Sequence, residues 1–196
     1  MSLVESTMLE LGAKAPAFTL PNTNIAYGGE HVSLEDCADA PAVLIAFICN
    51  HCPYVVHIKE SFSAFARDYA DKGLAVIAIS ANDADGYPAD GPEAMTADSR
   101  QFGYTFPYLH DEDQHIAKAY HAACTPDLFL FNQDRKLVYR GQYDDSRPSN
   151  GIEVSGGDLA AAADAVLSGG TVSLDQKPSI GCSIKWKPGN EPDSQG

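Results

Sequence analysis

The residues best placed to do chemistry are two cysteines separated by two positions, in the run Ile48-Cys49-Asn50-His51-Cys52-Pro53-Tyr54. A Cys-x-x-Cys pair either opens and closes a disulfide or supplies half the ligands of a zinc site. A structural zinc needs two more ligands, and the chain holds no second Cys-x-x-Cys and no His-x-x-x-His; His57, His110, His115 and His121 are scattered singly. The redox dithiol is the stronger reading, with no metal and no prosthetic group. If Asn50 caps a helix, Pro53 falls in the first turn, where its missing N–H removes no intrahelical bond. Both sulfurs then lie at a helix N-terminus, whose free N–H groups and positive dipole end favour thiolate over thiol. Cys49 is expected to be the more exposed, lower-pKa, attacking sulfur, and Cys52, one turn along, to close the disulfide. His51 between them would add positive charge and make the pair more oxidising. The plain alternative is a solvated first-turn histidine.

The elements around the motif read as alternating strands and helices. Residues 42–48 (AVLIAFI) are uninterrupted apolar and rich in branched side chains, the pattern of a strand buried on both faces. Val55, Ile58, Phe62, Phe65 and Tyr69 then recur at spacings of three and four, with Lys59, Glu60, Arg67 and Asp68 on the other face, which predicts an amphipathic helix stopped by Gly73. Residues 74–80 (LAVIAIS) form a second buried strand, so strand, helix and strand make a βαβ unit with parallel strands. Further on, the pattern predicts an acidic loop over 82–92, a helix over 92–102 capped by Asp90 or Gly91, a strand over 106–109 and a short helix over 111–120. Residues 127–131 and 136–140 flank a turn and predict an antiparallel hairpin, and 158–167 a last helix. Residues 10–170 make one domain, and 171–196 an irregular tail packed on or near it.

Composition narrows the partners. The chain has 196 residues, 44% hydrophobic and 20% charged, close to globular averages. Its 13 Lys and Arg against 27 Asp and Glu give a formal charge of −14, which repels nucleic acid and anionic membrane. No apolar stretch approaches a spanning helix and residues 1–11 lack the pattern of a signal peptide, so the expected compartment is the cytosol. Met1, Ser2 and Leu3 are set aside as a cloning remnant. Five cysteines, an odd number, do not read as a secreted disulfide framework.

A second feature is Cys124-Thr125-Pro126, just before the 127–131 strand. Strand, Cys-x-x-Cys helix, strand, helix, then Thr-Pro into a hairpin and a final helix resembles the thioredoxin-like fold. That resemblance implies an α/β protein with a mixed central sheet flanked by helices, and a cis Pro126 that, with Thr125, faces the dithiol and holds the substrate chain. The runs Leu11-Gly12-Ala13-Lys14-Ala15-Pro16-Ala17-Phe18-Thr19-Leu20-Pro21 and Phe106-Pro107-Tyr108-Leu109-His110-Asp111, with the cysteine motif and the tail run 181–187 (GCSIKWK), are similar to the peroxiredoxin-like group of the redoxin and thiol-specific antioxidant superfamily. The group implies an antioxidant or thiol–disulfide oxidoreductase, a protein or small-molecule disulfide or thiol as substrate, and an external thiol as electron donor.

The chain departs from that family where peroxide is cleaved. If Cys52 takes the peroxidatic position, Cys49 stands where the family has Thr and Ile45 where it has Pro, and no Arg occurs in residues 124–130. Losing donors aimed at the developing oxyanion removes much of the expected acceleration, whereas disulfide exchange needs only two sulfurs and an open face. Thiol–disulfide exchange is therefore expected first. The alternatives are a thiol peroxidase with Cys52 peroxidatic and Cys49 resolving, and a copper or zinc carrier using Cys49, Cys52 and His51 or His57. The run Asp83-Ala84-Asp85-Gly86 places Ala81 and Pro92 at the ends of an EF-hand register, which speaks against calcium. Cys37, Cys124 and Cys182 read as simple thiols, with Cys124 expected nearest the dithiol. Cys182 offers a further sulfur able to resolve a mixed disulfide, but nothing in the sequence sets its distance.

Overall fold

The computed structural model of the chain describes residues 3–192, so Met1, Ser2 and the last four residues of the tail lie outside the described part. In chain order the elements are β1 (Leu3–Glu5), β2 (Thr19–Pro21), β3 (His31–Ser33), β4 (Ala42–Phe47), α1 (Pro53–Ala70), β5 (Leu74–Ser80), α2 (Pro92–Gln101) and β6 (Tyr108–His110). They continue with α3 (His115–Ala119), β7 (Cys124–Thr125), β8 (Asp127–Asn132), β9 (Leu137–Gly141), α4 (Gly157–Leu167) and β10 (Ile180–Ser183).

The apolar runs make the centre. Strand β4 is buried at all six positions and lies between parallel β5 and antiparallel β8 in a five-stranded sheet of order β6-β5-β4-β8-β9. Alternation along β4 divides the core in two. Leu44 and Ala46 face a layer with Val55, Ile58 and Phe62 of α1, Met95 of α2 and Leu159 of α4. Val43, Ile45 and Phe47 face the opposite layer with Phe18, Leu20, Ala117 of α3 and Tyr120. Burying each large side chain of this kind stabilises the fold by roughly 1.5–3 kcal/mol. Helices on both faces of a mixed sheet, with a βαβ unit and a hairpin, make this a thioredoxin-like fold.

Helix α1 starts at Pro53 and its chain turns back at Gly73, whose φ of +96° is a conformation that a side chain would strain. Lys59, which the helical period places on the polar face, is buried instead. Its ammonium reaches Asp98 Oδ1 at 2.7 Å and the Asn50 carbonyl at 2.9 Å, and lies over the Phe102 ring. A partner for the charge and an apolar bed for its stem together let a lysine leave solvent.

The tail is irregular except at β10, which corrects the expectation of a tail without strands. Antiparallel β1 and β7 flank β10 in a second, three-stranded sheet, with Leu3 opposite Cys182 and Cys182 opposite Thr125. Leu3, set aside from the sequence, is thus part of a strand. Gly181 is what lets β10 in so closely, since a Cβ there would lie 2.0 Å from the Thr125 carbonyl oxygen. Among the described residues, no helix is long and apolar enough to cross a membrane.

Candidate active site

The Cys-x-x-Cys loop leaves the end of β4 and enters α1 with Cys52, not Asn50, as the N-cap residue. Asn50 does other work. Its backbone N–H donates to Asp90 Oδ1 at 2.8 Å, its side-chain amide to the Ala89 carbonyl at 2.8 Å, and its Oδ1 accepts the Tyr108 hydroxyl at 2.9 Å. Lys59 holds its carbonyl. Every polar group of Asn50 is therefore spent fixing the loop.

Asp90 is the anchor on the other side. It is wholly buried, although the acidic loop it belongs to reads from the sequence as solvated. Oδ1 accepts the Asn50 N–H and, at 3.3 Å, the His51 N–H, while Oδ2 accepts the Asn82 amide at 2.8 Å. His51 Nδ1 approaches Oδ2 to 2.6 Å as an ion-pair contact without the alignment of a hydrogen bond, and its ring stacks on Tyr87. The charge His51 can carry is thus spoken for by a carboxylate 2.6 Å away.

The two sulfurs meet the second motif directly. The Thr125–Pro126 peptide is cis. Cys49 Sγ lies 3.4 Å from Thr125 Oγ1, and Cys52 Sγ lies 3.2 Å from the Thr125 carbonyl oxygen. Residues 76 and 73 positions apart in the chain are brought into contact by β7.

Neither sulfur is open to solvent: Cys49 is 1% exposed and Cys52 0%, which corrects the expectation of an exposed Cys49. The charge is also placed differently from the sequence expectation. Cys49 donates its proton toward Cys52, so that hydrogen bond, burial and then the Asp90 charge push the Cys49 thiol up. The same bond pulls Cys52 down against its burial, helped by the side chain and backbone N–H of Cys182 and the backbone N–H of Val55. Of the two sulfurs, Cys52, at the N-cap of α1, is the one whose pKa is lowered.

Cys182, and not Cys124, is the further cysteine in contact with the pair. Cys124 is buried with its sulfur on the Pro126 carbonyl at 3.5 Å, and burial raises its pKa. Cys37 is half-buried and likewise raised by burial. His57 lies against Ser146 Oγ at 3.1 Å. Of the residues weighed for a metal, Cys49 and His51 come together with Asp90, their ligand atoms all within 4.8 Å of one another. Arg140, in β9, holds Asp127 at 3.1 Å and the His121 carbonyl at 2.8 Å, and lies over the Phe129 ring.

Sequence reasoning missed Asp90, Lys59 and Tyr108, and left the position of Cys182 open. Only Cys182 carried a usable signal, the Gly-Cys pair of a tail run already similar to the redoxin group.

Comparison with known proteins shows what the chain is similar to. The AhpC/TSA family model matches residues 11–140. A protein of Mycobacterium tuberculosis named as a peroxiredoxin is 30% identical over 120 residues, 61% of this chain and 69% of that protein. The thiol-disulfide oxidoreductase ResA of Bacillus subtilis is 25% identical over 130 residues, 65% of this chain and 64% of that protein. A crystal structure of an uncharacterized conserved protein from Geobacillus kaustophilus superposes with a TM-score of 0.91 at 54% identity, covering 96% of this chain and 98% of that one. The match over two thirds of the chain, containing the cysteine loop and the cis-proline turn, is of a kind that defines membership: this oxidoreductase belongs to the AhpC/TSA family.

Proposed function

We propose that the protein is a thiol–disulfide oxidoreductase working through Cys49 and Cys52. The observation that carries this reading is the packing of both sulfurs on one residue of the cis-proline turn, Cys49 Sγ 3.4 Å from the Thr125 hydroxyl oxygen and Cys52 Sγ 3.2 Å from the Thr125 carbonyl oxygen. Cys49 faces the Thr125 hydroxyl beside the cis-proline, while Cys52 is walled in by the Thr125 carbonyl, Val55 and Cys182. Cys49 attacks one sulfur of a substrate disulfide and passes its proton to the Cys52 thiolate; the other substrate sulfur leaves as thiolate. Cys52 then attacks Cys49, the Cys49–Cys52 bond forms, and the second half of the substrate leaves with the Cys52 proton. An external thiol reverses the reaction and regenerates the dithiol.

A second reading, thiol peroxidase with Cys52 peroxidatic, is favoured by the lowered pKa of Cys52 at the N-cap of α1. Against it stand Cys49 and Ile45 at the family's Thr and Pro positions. Reduced, metal-free protein offered one equivalent of a disulfide peptide or of hydrogen peroxide, side by side, tests the two. Faster oxidation by the peptide is expected; faster oxidation by peroxide would reverse the ranking.

A copper or zinc carrier would use Cys49, His51 and Asp90. Both Asp90 oxygens already accept N–H groups of Asn50, His51 and Asn82, which an ion would have to displace. Metal analysis of purified protein is expected to find no stoichiometric metal, with both sulfurs open to alkylation after denaturation. One tightly held copper or zinc per chain, lost in Cys49→Ser, would make the carrier the better reading.

A further inference from the structure

The Cys49–Cys52 reaction leaves Cys182 unused, although β10 carries it onto Cys52. Three features hold it there. Cys182 is directly opposite Thr125 in the β10–β7 register, and the Thr125 carbonyl touches Cys52 Sγ. Gly181, with no side chain, lets β10 pack on the Thr125 carbonyl at a separation that any other residue would prevent. The Cys182 side chain and its backbone N–H both act on the Cys52 sulfur. Cys182 is itself buried, so its nearest reaction partner is inside the protein.

We propose that Cys182 is a third catalytic sulfur, which takes over the disulfide from Cys49 and stores it as a Cys52–Cys182 bond beneath β10. The inference rests on the Cys49–Cys52 dithiol. In the oxidised protein the Cys182 thiolate attacks Cys52 Sγ; the Cys52–Cys182 bond forms and the Cys49–Cys52 bond breaks. The electron pair leaves on Cys49, which takes the proton that Cys182 gave up, so no external oxidant or reductant is consumed. Cys49 is thereby returned as a thiol while the chain remains oxidised by one disulfide. A substrate disulfide can then engage Cys49 again, or a reductant can reach the stored bond by the reverse exchange.

Removal of Cys49 isolates this step. Hydrogen peroxide converts the Cys52 thiolate of Cys49→Ser to sulfenic acid, releasing hydroxide, and Cys182 condenses with it, releasing water. After exposure taken to completion, acid quenching and peptide mapping should find a Cys52–Cys182 linkage in Cys49→Ser and none in Cys49→Ser/Cys182→Ser, where Cys52 instead stays sulfenic or passes to sulfinic acid. In oxidised wild-type protein, a fraction of chains should carry the same linkage with Cys49 alkylatable. Absence of a Cys52–Cys182 linkage in Cys49→Ser, whatever its oxidation level, overturns the proposal. The wild-type arm keeps the two readings apart: a Cys49–Cys52 disulfide there, with no Cys52–Cys182 linkage in the variant, sinks only the third sulfur, whereas failure of wild type to form Cys49–Cys52 sinks the dithiol itself. Circular dichroism of the Cys182→Ser variant, matching wild type, shows that β10 has not been lost with the sulfur.

Discussion

Cys49→Ser is expected to bring disulfide exchange down to the uncatalysed rate, and Cys52→Ser to stop it at a covalent mixed disulfide between Cys49 and the substrate. The asymmetry follows from where the sulfurs lie. Cys49 stands at the Thr125 hydroxyl beside the cis-proline, whereas Cys52 is enclosed by Thr125, Val55 and β10. Without Cys52 the first step loses its proton acceptor and slows, yet its product has lost the sulfur that resolves it. Intact-mass measurement after incubation with a disulfide peptide reads the outcome, as an adduct on Cys52→Ser and no adduct on Cys49→Ser. Under the peroxidase reading the roles reverse. Cys52 would be oxidised fast and completely in Cys49→Ser after brief peroxide exposure, and that result would displace exchange as the main activity. Cys49 in place of the family's Thr, with no Arg in residues 124–130, predicts instead a rate near that of an ordinary thiolate.

Lys59→Met is expected to cost about 3–5 kcal/mol of stability, because it leaves Asp98 nearly buried without its cation. At roughly 2–4 °C per kcal/mol for a chain of this size, the melting temperature falls by roughly 6–20 °C. The same change removes the donor to the Asn50 carbonyl, so exchange activity should fall even where the variant is fully folded. Pairing it with Asp98→Asn removes the uncompensated charge while a side chain remains to meet the Tyr104 hydroxyl, and should recover much of the loss. Thermal unfolding of the two single variants and the double variant checks this. A Lys59→Met protein within about 1 kcal/mol of wild type would show that the pair contributes little.

Local signals carried much of this molecule. The apolar runs that became β4 and β5 needed no knowledge of the rest of the chain, and neither did the stripe from Val55 to Tyr69 or the Cys-x-x-Cys at a strand–helix junction. The Thr125–Pro126 turn was legible only through the order of motifs around it. What stayed hidden is what depends on pairing at a distance. Asp90 in its loop looks like any solvated acid until Asn50 and Asn82 are placed against it. Lys59 takes a polar position by helical period, and only Asp98 and Phe102, from another helix and its C-terminal end, explain its burial. The exposure of Cys49 was misjudged for the same reason: a helix start is open to solvent unless another part of the chain covers it, and here β7 and β10 do. The Asn50 side chain suits a helix cap, but it is occupied with Ala89 and Tyr108, and the cap position passes to Cys52.

The three-stranded sheet of β1, β10 and β7 has a kinetic meaning. Its strands are three, four and two residues long, and two of them come from regions near opposite ends of the chain. It shares no strand with the five-stranded sheet that holds the bulk of the core. Short strands on a small separate sheet detach locally at a free energy below that of global unfolding. Cys49 and Cys52, both buried, meet a second sulfur only where the chain around them opens, so amide hydrogen exchange in β10 is expected to outpace that in β4.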